Sequence, residues 1–276
     1  MDSQAVVCET CFHRCRLKEG QSGFCRARIN HGGTVVPESY GMLTAAALDP
    51  IEKKPLARFF PGSKILSVGS FGCNLACPFC QNYQISQIDS KKAETRFMSP
   101  EELTELACSI PDNLGVAFTY NEPLIQWEYV RDTGRLLKEK GKKVVLVSNG
   151  TASLPVLEEI LPFVDAMNID LKGDESFYKN ELGGDRRMVC ETIGYVYDKC
   201  HLEITTLVIP GKNDSAGFIR EEARWIASLN PEIPLHLSRY FPRYRCTIAE
   251  TPRETVRRLR DEAQKYLRYV YTGNMW

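Results

Sequence analysis

Short β-rich runs alternate with amphipathic helical stretches from residue 64 onward, and this alternation is the feature that most constrains the fold of the 276-residue chain. Strands separated by helices form right-handed βαβ units, which place the strands parallel in one sheet. Helical periodicity is predicted near residues 100–110, 123–140, 153–161, 188–199, 216–229 and 252–268. The six predicted strands are Lys64–Gly69, Val116–Thr119, Lys143–Ser148, Ala166–Asp170, Glu203–Ile209 and Leu235–Ser238.

Periodicity alone leaves two architectures open, an open doubly wound sheet and a barrel. Both place functional residues in the loops that follow the carboxyl ends of the strands. Two helices also have explicit start signals. Ser99 and Thr251 are predicted N-caps, because each is followed directly by proline and, at the third position, by glutamate.

The chain divides into two unequal parts at residue 62. Residues 1–62 are rich in Cys, Gly and Pro and contain few convincing strands, whereas residues 63–276 carry the alternating pattern. We therefore predict a Cys-rich, metal-binding N-terminal extension over 1–62 and a core barrel over 63–276.

Charge and cysteine content narrow the classes of protein to consider. Thirty-five basic residues balance thirty-five acidic ones, so the basic excess of a typical nucleic-acid binder is missing. No apolar run approaches the roughly 18 residues of a membrane span, and no secretory signal is recognisable. We expect a cytoplasmic protein without nucleic-acid or membrane partners. In the reducing cytoplasm, an odd count of eleven cysteines favours a role as metal ligands over disulfide formation.

Three cysteines lie in the loop that directly follows the first predicted strand. Cys73, Cys77 and Cys80 have the spacing C-x3-C-x2-C. Three thiolates can hold three irons of a [4Fe–4S] cluster and leave the fourth iron open to a small chelating ligand. The alternatives are a zinc site completed by a distant residue and a chance grouping of thiols.

The segment CNLACPFC resembles the CxxxCxφC signature of radical S-adenosylmethionine enzymes, with Phe79 at the aromatic position. This resemblance implies that the three cysteines are catalytic cluster ligands and that the cluster binds S-adenosylmethionine. In this family, reductive cleavage of that cofactor yields a 5′-deoxyadenosyl radical, which abstracts hydrogen from a substrate. The fold we expect is therefore α/β, a partial (β/α)6 TIM-like barrel with an N-terminal Cys-rich extension.

Further cofactor-binding positions follow from the same resemblance. The segment TYNEP resembles the family's GGEP motif, with Tyr-Asn in place of two glycines, and SNG, DLK and PLHLS resemble stretches of activase-like members. Structural roles remain as alternatives. Asp170 and Lys172 can form an exposed ion pair, and His236 can be a core residue whose hydrogen bonds are satisfied. The cofactor-binding residues implied are Phe79, Asn121, Glu122, Asn149, Asp170, Lys172 and His236.

A second set of four cysteines lies within the N-terminal part, at Cys8, Cys11, Cys15 and Cys25. Four thiols within eighteen residues fit a closed structural zinc site. They also fit an auxiliary iron–sulfur cluster, and free thiols are the third alternative. His13 lies between them and can replace one ligand.

The resemblance spans nearly the whole chain. CETCFHRC, DPIEKKPL, FFPGS and GCNLACPFCQNYQIS together resemble the AmmeMemoRadiSam-system radical enzyme subgroup, which is related to pyruvate formate-lyase activating enzymes. The resemblance implies an oxidoreductase with a low-potential electron donor such as flavodoxin or ferredoxin. Two alternatives remain: an activase that acts on a glycine of a partner protein, and a zinc-ribbon binding module on an inert barrel.

Overall fold

The computed structural model describes residues 5–275. Its strands, numbered in chain order, begin with six in the N-terminal part: β1 (Val6–Val7), β2 (Arg16–Leu17), β3 (Arg28–His31), β4 (Thr34–Pro37), β5 (Met42–Leu43) and β6 (Ala45–Pro50). The remaining strands are β7 (Lys64–Gly69), β8 (Arg96–Phe97), β9 (Asn113–Phe118), β10 (Lys143–Ser148), β11 (Ala166–Asp170), β12 (His201–Val208), β13 (Leu235–Arg239) and β14 (Val270–Gly273).

Eight α-helices accompany these strands in the described part of the chain. They are α1 (Tyr83–Ser86), α2 (Pro100–Ser109), α3 (Trp127–Glu139), α4 (Leu154–Ile160), α5 (Glu175–Phe177), α6 (Arg186–Val196), α7 (Ala216–Leu229) and α8 (Arg253–Ala263). None of the helices within residues 5–275 is long and apolar enough to cross a membrane.

One eight-stranded sheet dominates the molecule, in the order β14-β13-β12-β11-β10-β9-β7-β6. The seven strands from β7 to β14 in this order pair in parallel, and β6 pairs antiparallel with β7. The sheet has two edges, β6 and β14, so the barrel is partial. The predicted α/β class with a partial TIM-like barrel is confirmed.

The predicted strands agree closely with the observed ones. β7, β10 and β11 have the predicted bounds, while β9, β12 and β13 differ by a few residues at their ends. Two strands of the sheet were not predicted. β14 falls just after the last predicted helix, which ends at Ala263 rather than near residue 268, and β6 lies in the part predicted to hold few strands. The boundary at residue 62 stays a prediction, and β6 pairs with β7 across it.

Only one of the two predicted helix caps forms. Ser99 Oγ accepts from the Glu102 N–H at 3.2 Å, and the Glu102 carboxylate accepts from the Ser99 N–H at 2.7 Å, which completes a capping box. The Thr251 prediction is wrong, since α8 begins at Arg253. Thr251 Oγ1 instead donates to the Val208 carbonyl at 2.6 Å, so this side chain ties the loop before α8 to the end of β12.

Alternation along the central strands separates two cores. The side chains on the outer face of the strands pack under the helices and include Leu66, Phe118, Leu146 and Met167. The side chains at the adjacent positions of the same strands face the barrel interior, where they pack with three side chains that precede β7. This inner cluster consists of Ile65, Ala117, Val145 and Ala166 with Ile51, Leu56 and Phe59. Residues 51–59 therefore plug the barrel at the amino end of its strands and leave the carboxyl end open.

The segment that holds the four N-terminal cysteines packs beside this open end. Arg28, which is buried, donates to both carboxylate oxygens of Glu128 at 2.6 and 2.8 Å. A bidentate pair of this kind fixes the segment against α3 in one orientation. Backbone hydrogen bonds extend the contact, from Cys73 N to Cys25 O at 3.2 Å and from Ser153 N to Thr10 O at 2.9 Å.

Candidate active site

The three-cysteine loop follows β7 and is held in place by a neighbouring strand end. Asn121, after β9, accepts from the Ser70 N–H at 2.9 Å and donates to the carbonyls of Phe71 and Gly72, each at 3.1 Å. One amide side chain thereby satisfies three backbone groups just before Cys73. Because such groups must be paired when they are buried, Asn121 orders the loop.

A cavity of about 300 Å³ opens at the carboxyl ends of the strands beside this loop. It lies where both predicted architectures place function. Nine of the ten candidate residues predicted for the barrel line it together: Cys73, Cys77, Phe79, Cys80, Asn121, Glu122, Asn149, Asp170 and Lys172.

Glu122 is the buried centre of a hydrogen-bond network on one wall of this cavity. Its carboxylate accepts from Ser148 Oγ at 2.8 Å, from the Asn149 N–H at 2.7 Å and from the Leu124 N–H at 3.0 Å. Burial raises the pKa of Glu122 to about 7, although these three donors oppose the shift. The network joins the ends of β9 and β10 in one fixed arrangement.

Asn149 links this network to the cysteine loop. Its amide nitrogen lies 3.7 Å from Cys73 Sγ and donates to Asn74 Oδ1 at 2.8 Å, while its oxygen accepts from the Thr151 N–H at 2.9 Å. The Asn149 side chain is therefore oriented by contacts on both sides, and it presents an N–H donor beside a predicted ligand sulfur.

Asp170 and Lys172 form an ion pair at the end of the next strand, β11. Lys172 Nζ lies 2.8 Å from Asp170 Oδ2. Burial disfavours the charge of Lys172, but the neighbouring carboxylate prevails and raises the pKa of this ammonium above its ordinary value. Tyr178 supports the pair, because its hydroxyl donates to the Asp170 carbonyl at 3.2 Å and accepts from the Lys172 N–H at 3.0 Å. The ion pair thus places both a cation and an anion at the cavity wall.

The three cysteines of the loop have the chemistry of metal ligands. Burial raises the pKa of the Cys77 thiol to about 11 and that of Cys73 well above its ordinary value, so a bound metal has to displace both protons. A tetrahedral zinc needs every sulfur within about 2.3 Å of one point, whereas a [4Fe–4S] cluster binds each thiolate at a separate iron.

A comparison with known protein families decides the family. Residues 67–220 match the Radical SAM superfamily, and this stretch contains all nine of the lining residues named above, the three cysteines among them. The chain belongs to the radical SAM superfamily.

Relatives of this radical SAM enzyme extend the match beyond the core. An uncharacterized protein of Methanocaldococcus jannaschii is 38% identical over 293 residues, which covers 100% of this chain and 83% of that protein. The pyruvate formate-lyase 1-activating enzyme of Escherichia coli K12 is 28% identical over 148 residues, 52% of this chain and 60% of that enzyme.

Solved structures share the fold of this radical SAM enzyme. SuiB of Streptococcus suis bound to S-adenosylmethionine aligns with a TM-score of 0.59 and 14% identity over 76% of this chain and 52% of that one. A domain of a pyruvate-formate lyase-activating enzyme from Bacteroides vulgatus aligns with a TM-score of 0.52 and 21% identity, over 58% of this chain and 99% of that domain.

His236 is the candidate that the structure does not bring to the radical SAM cavity. It is the second residue of β13, so it lies near the amino end of the strand, and its Nε2 is 2.5 Å from Glu203 Oε2. It lines an adjoining cavity instead. Its role toward S-adenosylmethionine stays a prediction.

Several contacts around the cysteine-lined cavity were not predicted from the sequence. Ser86 Oγ lies 3.1 Å from Cys80 Sγ, and Phe177 stacks on Phe79 with ring centres 6.0 Å apart. Tyr178, like Phe177, lies outside every quoted motif. Their positions depend on long-range packing, which spacing along the chain does not encode.

The four N-terminal cysteines lie behind the radical SAM loop and outside its cavity. Cys8 and Cys25 are buried, and Cys15 Sγ accepts from the Phe24 N–H at 3.4 Å. The thiol of Cys11 is hydrogen-bonded to the Asn74 side chain, although burial still raises the pKa of this thiol to about 12. His13 Nε2 lies 3.0 Å from the Asn74 carbonyl. Cys11 and His13 therefore both contact Asn74, the neighbour of Cys73.

Proposed function

We propose that Cys73, Cys77 and Cys80 hold a [4Fe–4S] cluster and that the cavity beside them binds S-adenosylmethionine for reductive cleavage. The observation that supports this most is the gathering of three thiols with Phe79, Asn121, Glu122, Asn149, Asp170 and Lys172 around one cavity. When bound, such a cluster supplies an electron and an open iron for the amino and carboxylate groups of the cofactor.

The protein's own groups bind and orient the cofactor. Lys172 offers a charge-assisted contact to the methionyl carboxylate, and Asp170 accepts from ribose hydroxyls. The Glu122 network holds Asn149 and the end of β10 still, so the cavity wall does not need to reorganise when the cofactor binds. Phe79, supported by Phe177, closes the apolar side.

The proposed reaction consumes one electron. A low-potential donor such as flavodoxin or ferredoxin supplies it, the bond between sulfur and the 5′ carbon breaks, and methionine and a 5′-deoxyadenosyl radical form. The radical takes a hydrogen atom from the substrate, which leaves 5′-deoxyadenosine and a substrate radical. The proposed location is the cytoplasm.

Product analysis tests this function directly. The protein is reconstituted anaerobically with iron and sulfide to about four of each at the barrel site, reduced, and incubated with S-adenosylmethionine. We expect 5′-deoxyadenosine and methionine in equal amounts. An intact, reduced cluster that yields neither product would refute the proposal.

A protein substrate is the second candidate. The similarity to an enzyme named for activating pyruvate formate-lyase supports it, as does the fold shared with a SuiB structure that is bound to a precursor peptide. In this version the hydrogen comes from a glycine of a partner protein. Electron paramagnetic resonance of the partner after turnover distinguishes the two, because a stable glycyl radical appears only in the activase case.

For the N-terminal cysteines we propose structural zinc, with a second iron–sulfur cluster as the alternative. Four soft ligands within one short segment suit either metal group. Metal analysis distinguishes the two. A structural zinc site contributes about one equivalent of zinc per chain, whereas a second [4Fe–4S] cluster contributes about four irons.

A further inference from the structure

A second cavity adjoins the proposed cofactor site on the open side of the barrel. Its volume is about 900 Å³, within the range of small-molecule sites. Both edge strands line it, β6 through Asp49 and β14 through Tyr271 and Thr272. It shares a wall with the cysteine-lined cavity, formed by residues that include Asn82, Tyr120, Ser238 and Asn274. A molecule in the second cavity therefore has access to the cofactor site.

A charged cluster at residues 49–54 lines this cavity. Lys54 Nζ donates to Asp49 Oδ2 at 2.9 Å, and its side chain is 3% exposed. Tyr120 Oη donates to the same oxygen at 2.7 Å, and Lys53 Nζ donates to Oδ1 at 3.1 Å. The cluster comes from the DPIEKKPL motif, to which the cofactor site gives no role.

The hydrogen-bond balance of this cluster favours a negatively charged ligand. Asp49 already accepts three hydrogen bonds, whereas the Lys54 ammonium has three N–H donors. Within residues 5–275 its side-chain partners are Asp49, as hydrogen-bond acceptor, and the Tyr120 ring, whose centre lies 4.8 Å from Nζ. Lys54 therefore has donors left for a ligand in the cavity. A buried ammonium gains most from an anionic oxygen acceptor.

The backbone at Tyr120 supports a functional role for the same cluster. Tyr120 has a φ of +70°, which is rare for a bulky side chain and costs conformational energy. A side chain at Gly69 would come within 2.9 Å of the Tyr120 Cβ, so only glycine fits there. Asn82, just beyond Cys80, donates to the Tyr120 carbonyl at 2.7 Å. The strained residue thus joins the cysteine loop to the charged cluster.

We propose that Lys54 binds a carboxylate or phosphate group of a small-molecule substrate whose reacting carbon extends toward the cysteine loop. This inference rests on the proposed function and adds the chemical class of its substrate. Asp49 and Tyr120 are positioning residues that hold the ammonium at the cavity wall. A small molecule is the occupant because a side chain with 3% exposure is reached only through the cavity.

Anion binding to the reconstituted protein with S-adenosylmethionine tests the proposal. Inorganic phosphate and succinate are titrated separately by calorimetry, with sodium chloride of equal ionic strength as the reference. We expect one of them to bind, and which one binds identifies the group. Lys54→Met should weaken that binding about ten- to hundred-fold, and Lys54→Arg should retain most of it.

Lys64→Met is the control, because Lys64 is an exposed lysine at the amino end of β7 and lines neither cavity. It should change the binding of the anion by less than about twofold. If Lys54→Met fails to fold because Asp49 is left unpaired, the double variant D49N/K54M removes both charges and should still lose the binding.

Two results would overturn the inference: neither anion binds the wild-type protein, or D49N/K54M binds the anion as tightly as the wild type. The titration needs no reduction, so it is independent of cofactor cleavage. If no anion binds but 5′-deoxyadenosine forms normally, only the inference about the substrate class is refuted. Failure of cleavage with normal anion binding removes the proposed reaction, and with it the role of the anion as its substrate, but leaves Lys54 as an anion-binding residue.

Discussion

The two cysteine sets differ less in their chemistry than in their place relative to the sheet. Cys73, Cys77 and Cys80 follow the carboxyl end of β7 and line a cavity with charged and polar side chains from the ends of β9, β10, β11, β13 and β14. The four N-terminal cysteines lie outside the sheet and contact the back of the loop through its backbone and through Asn74. Position at a strand end, rather than the number of thiols, therefore gives a cysteine set access to a substrate.

The largest difference is expected from removing one thiol of each set. Cys73→Ala should lose the barrel cluster and all 5′-deoxyadenosine formation, because two thiolates cannot retain a cluster that binds three irons through cysteine. Cys11→Ala should lose the N-terminal metal and destabilise that segment, because the binding energy of such a metal is also folding energy. Iron, zinc and sulfide content and product formation are measured for both variants.

Cys108→Ala is the control for both thiol variants, since Cys108 is exposed on α2. It should leave metal content and product formation unchanged. Loss of iron from Cys11→Ala with zinc unchanged would show that the N-terminal site holds a cluster, and the two cysteine sets would then not differ in the metal they bind. Full iron and activity in Cys73→Ala would contradict the central proposal.

The next effect concerns the ion pair in the cavity. Lys172→Ala and Asp170→Ala should each weaken S-adenosylmethionine binding by about 1.5–3 kcal/mol, roughly ten- to hundred-fold, because a charge-assisted contact is lost. Iron content should stay at the wild-type level, since neither side chain is a predicted ligand. Equilibrium binding of the cofactor is the measurement. Unchanged affinity in both variants would show that the pair is structural only.

The sequence predicted the parts of this site that local patterns encode. β7, β10 and β11 were predicted with their observed bounds because buried parallel strands read as short apolar runs. Glu122 and Asn149 came from motifs at strand ends. The plug formed by Ile51, Leu56 and Phe59 was not predicted, because these residues have no period and gain their burial only from strands far along the chain.

Burial of charged groups escaped prediction for the same reason. Lys53 and Lys54 are neighbours of identical type, yet one side chain is exposed and the other is enclosed with Asp49 and Tyr120. Tyr120 itself was recognised only as a departure from a glycine-containing motif. Its left-handed backbone requires Gly69 on an adjacent strand, and a pairwise contact of this kind is visible only in three dimensions.

A smaller effect tests how the N-terminal part is held at the other end of the strands. Glu203 is buried and accepts from His201, from His236 and from the N–H groups of Ala57 and Arg58, at 2.5 to 3.0 Å. Burial alone would raise the pKa of Glu203, but these donors outweigh it and hold the pKa at about 2. Glu203→Gln should lower the free energy of unfolding by about 2 kcal/mol.

The depressed pKa of Glu203 also fixes the direction of a pH effect. Because the folded state binds the proton more weakly than the unfolded state does, the stabilisation is present above the ordinary glutamate pKa and is lost as pH falls toward 2. Urea titrations of wild type and Glu203→Gln from pH 6 down to pH 3 should therefore converge. Curves that stay parallel over this range would show that the charge of Glu203 does not hold residues 57 and 58.

The smallest expected effect lies at the contact between the two cysteine regions. His13 was a candidate substitute for a thiol ligand, but its Nε2 lies 3.0 Å from the Asn74 carbonyl and its ring stacks on Phe24 at 4.0 Å. His13→Ala should lower the free energy of unfolding by about 1 kcal/mol, the contribution of one hydrogen bond, with metal content unchanged. His31→Ala, at a side chain that is 84% exposed, should have no measurable effect on stability. If His13→Ala releases zinc in proportion, His13 is a ligand, and the two regions then share a metal-dependent contact rather than a single hydrogen bond.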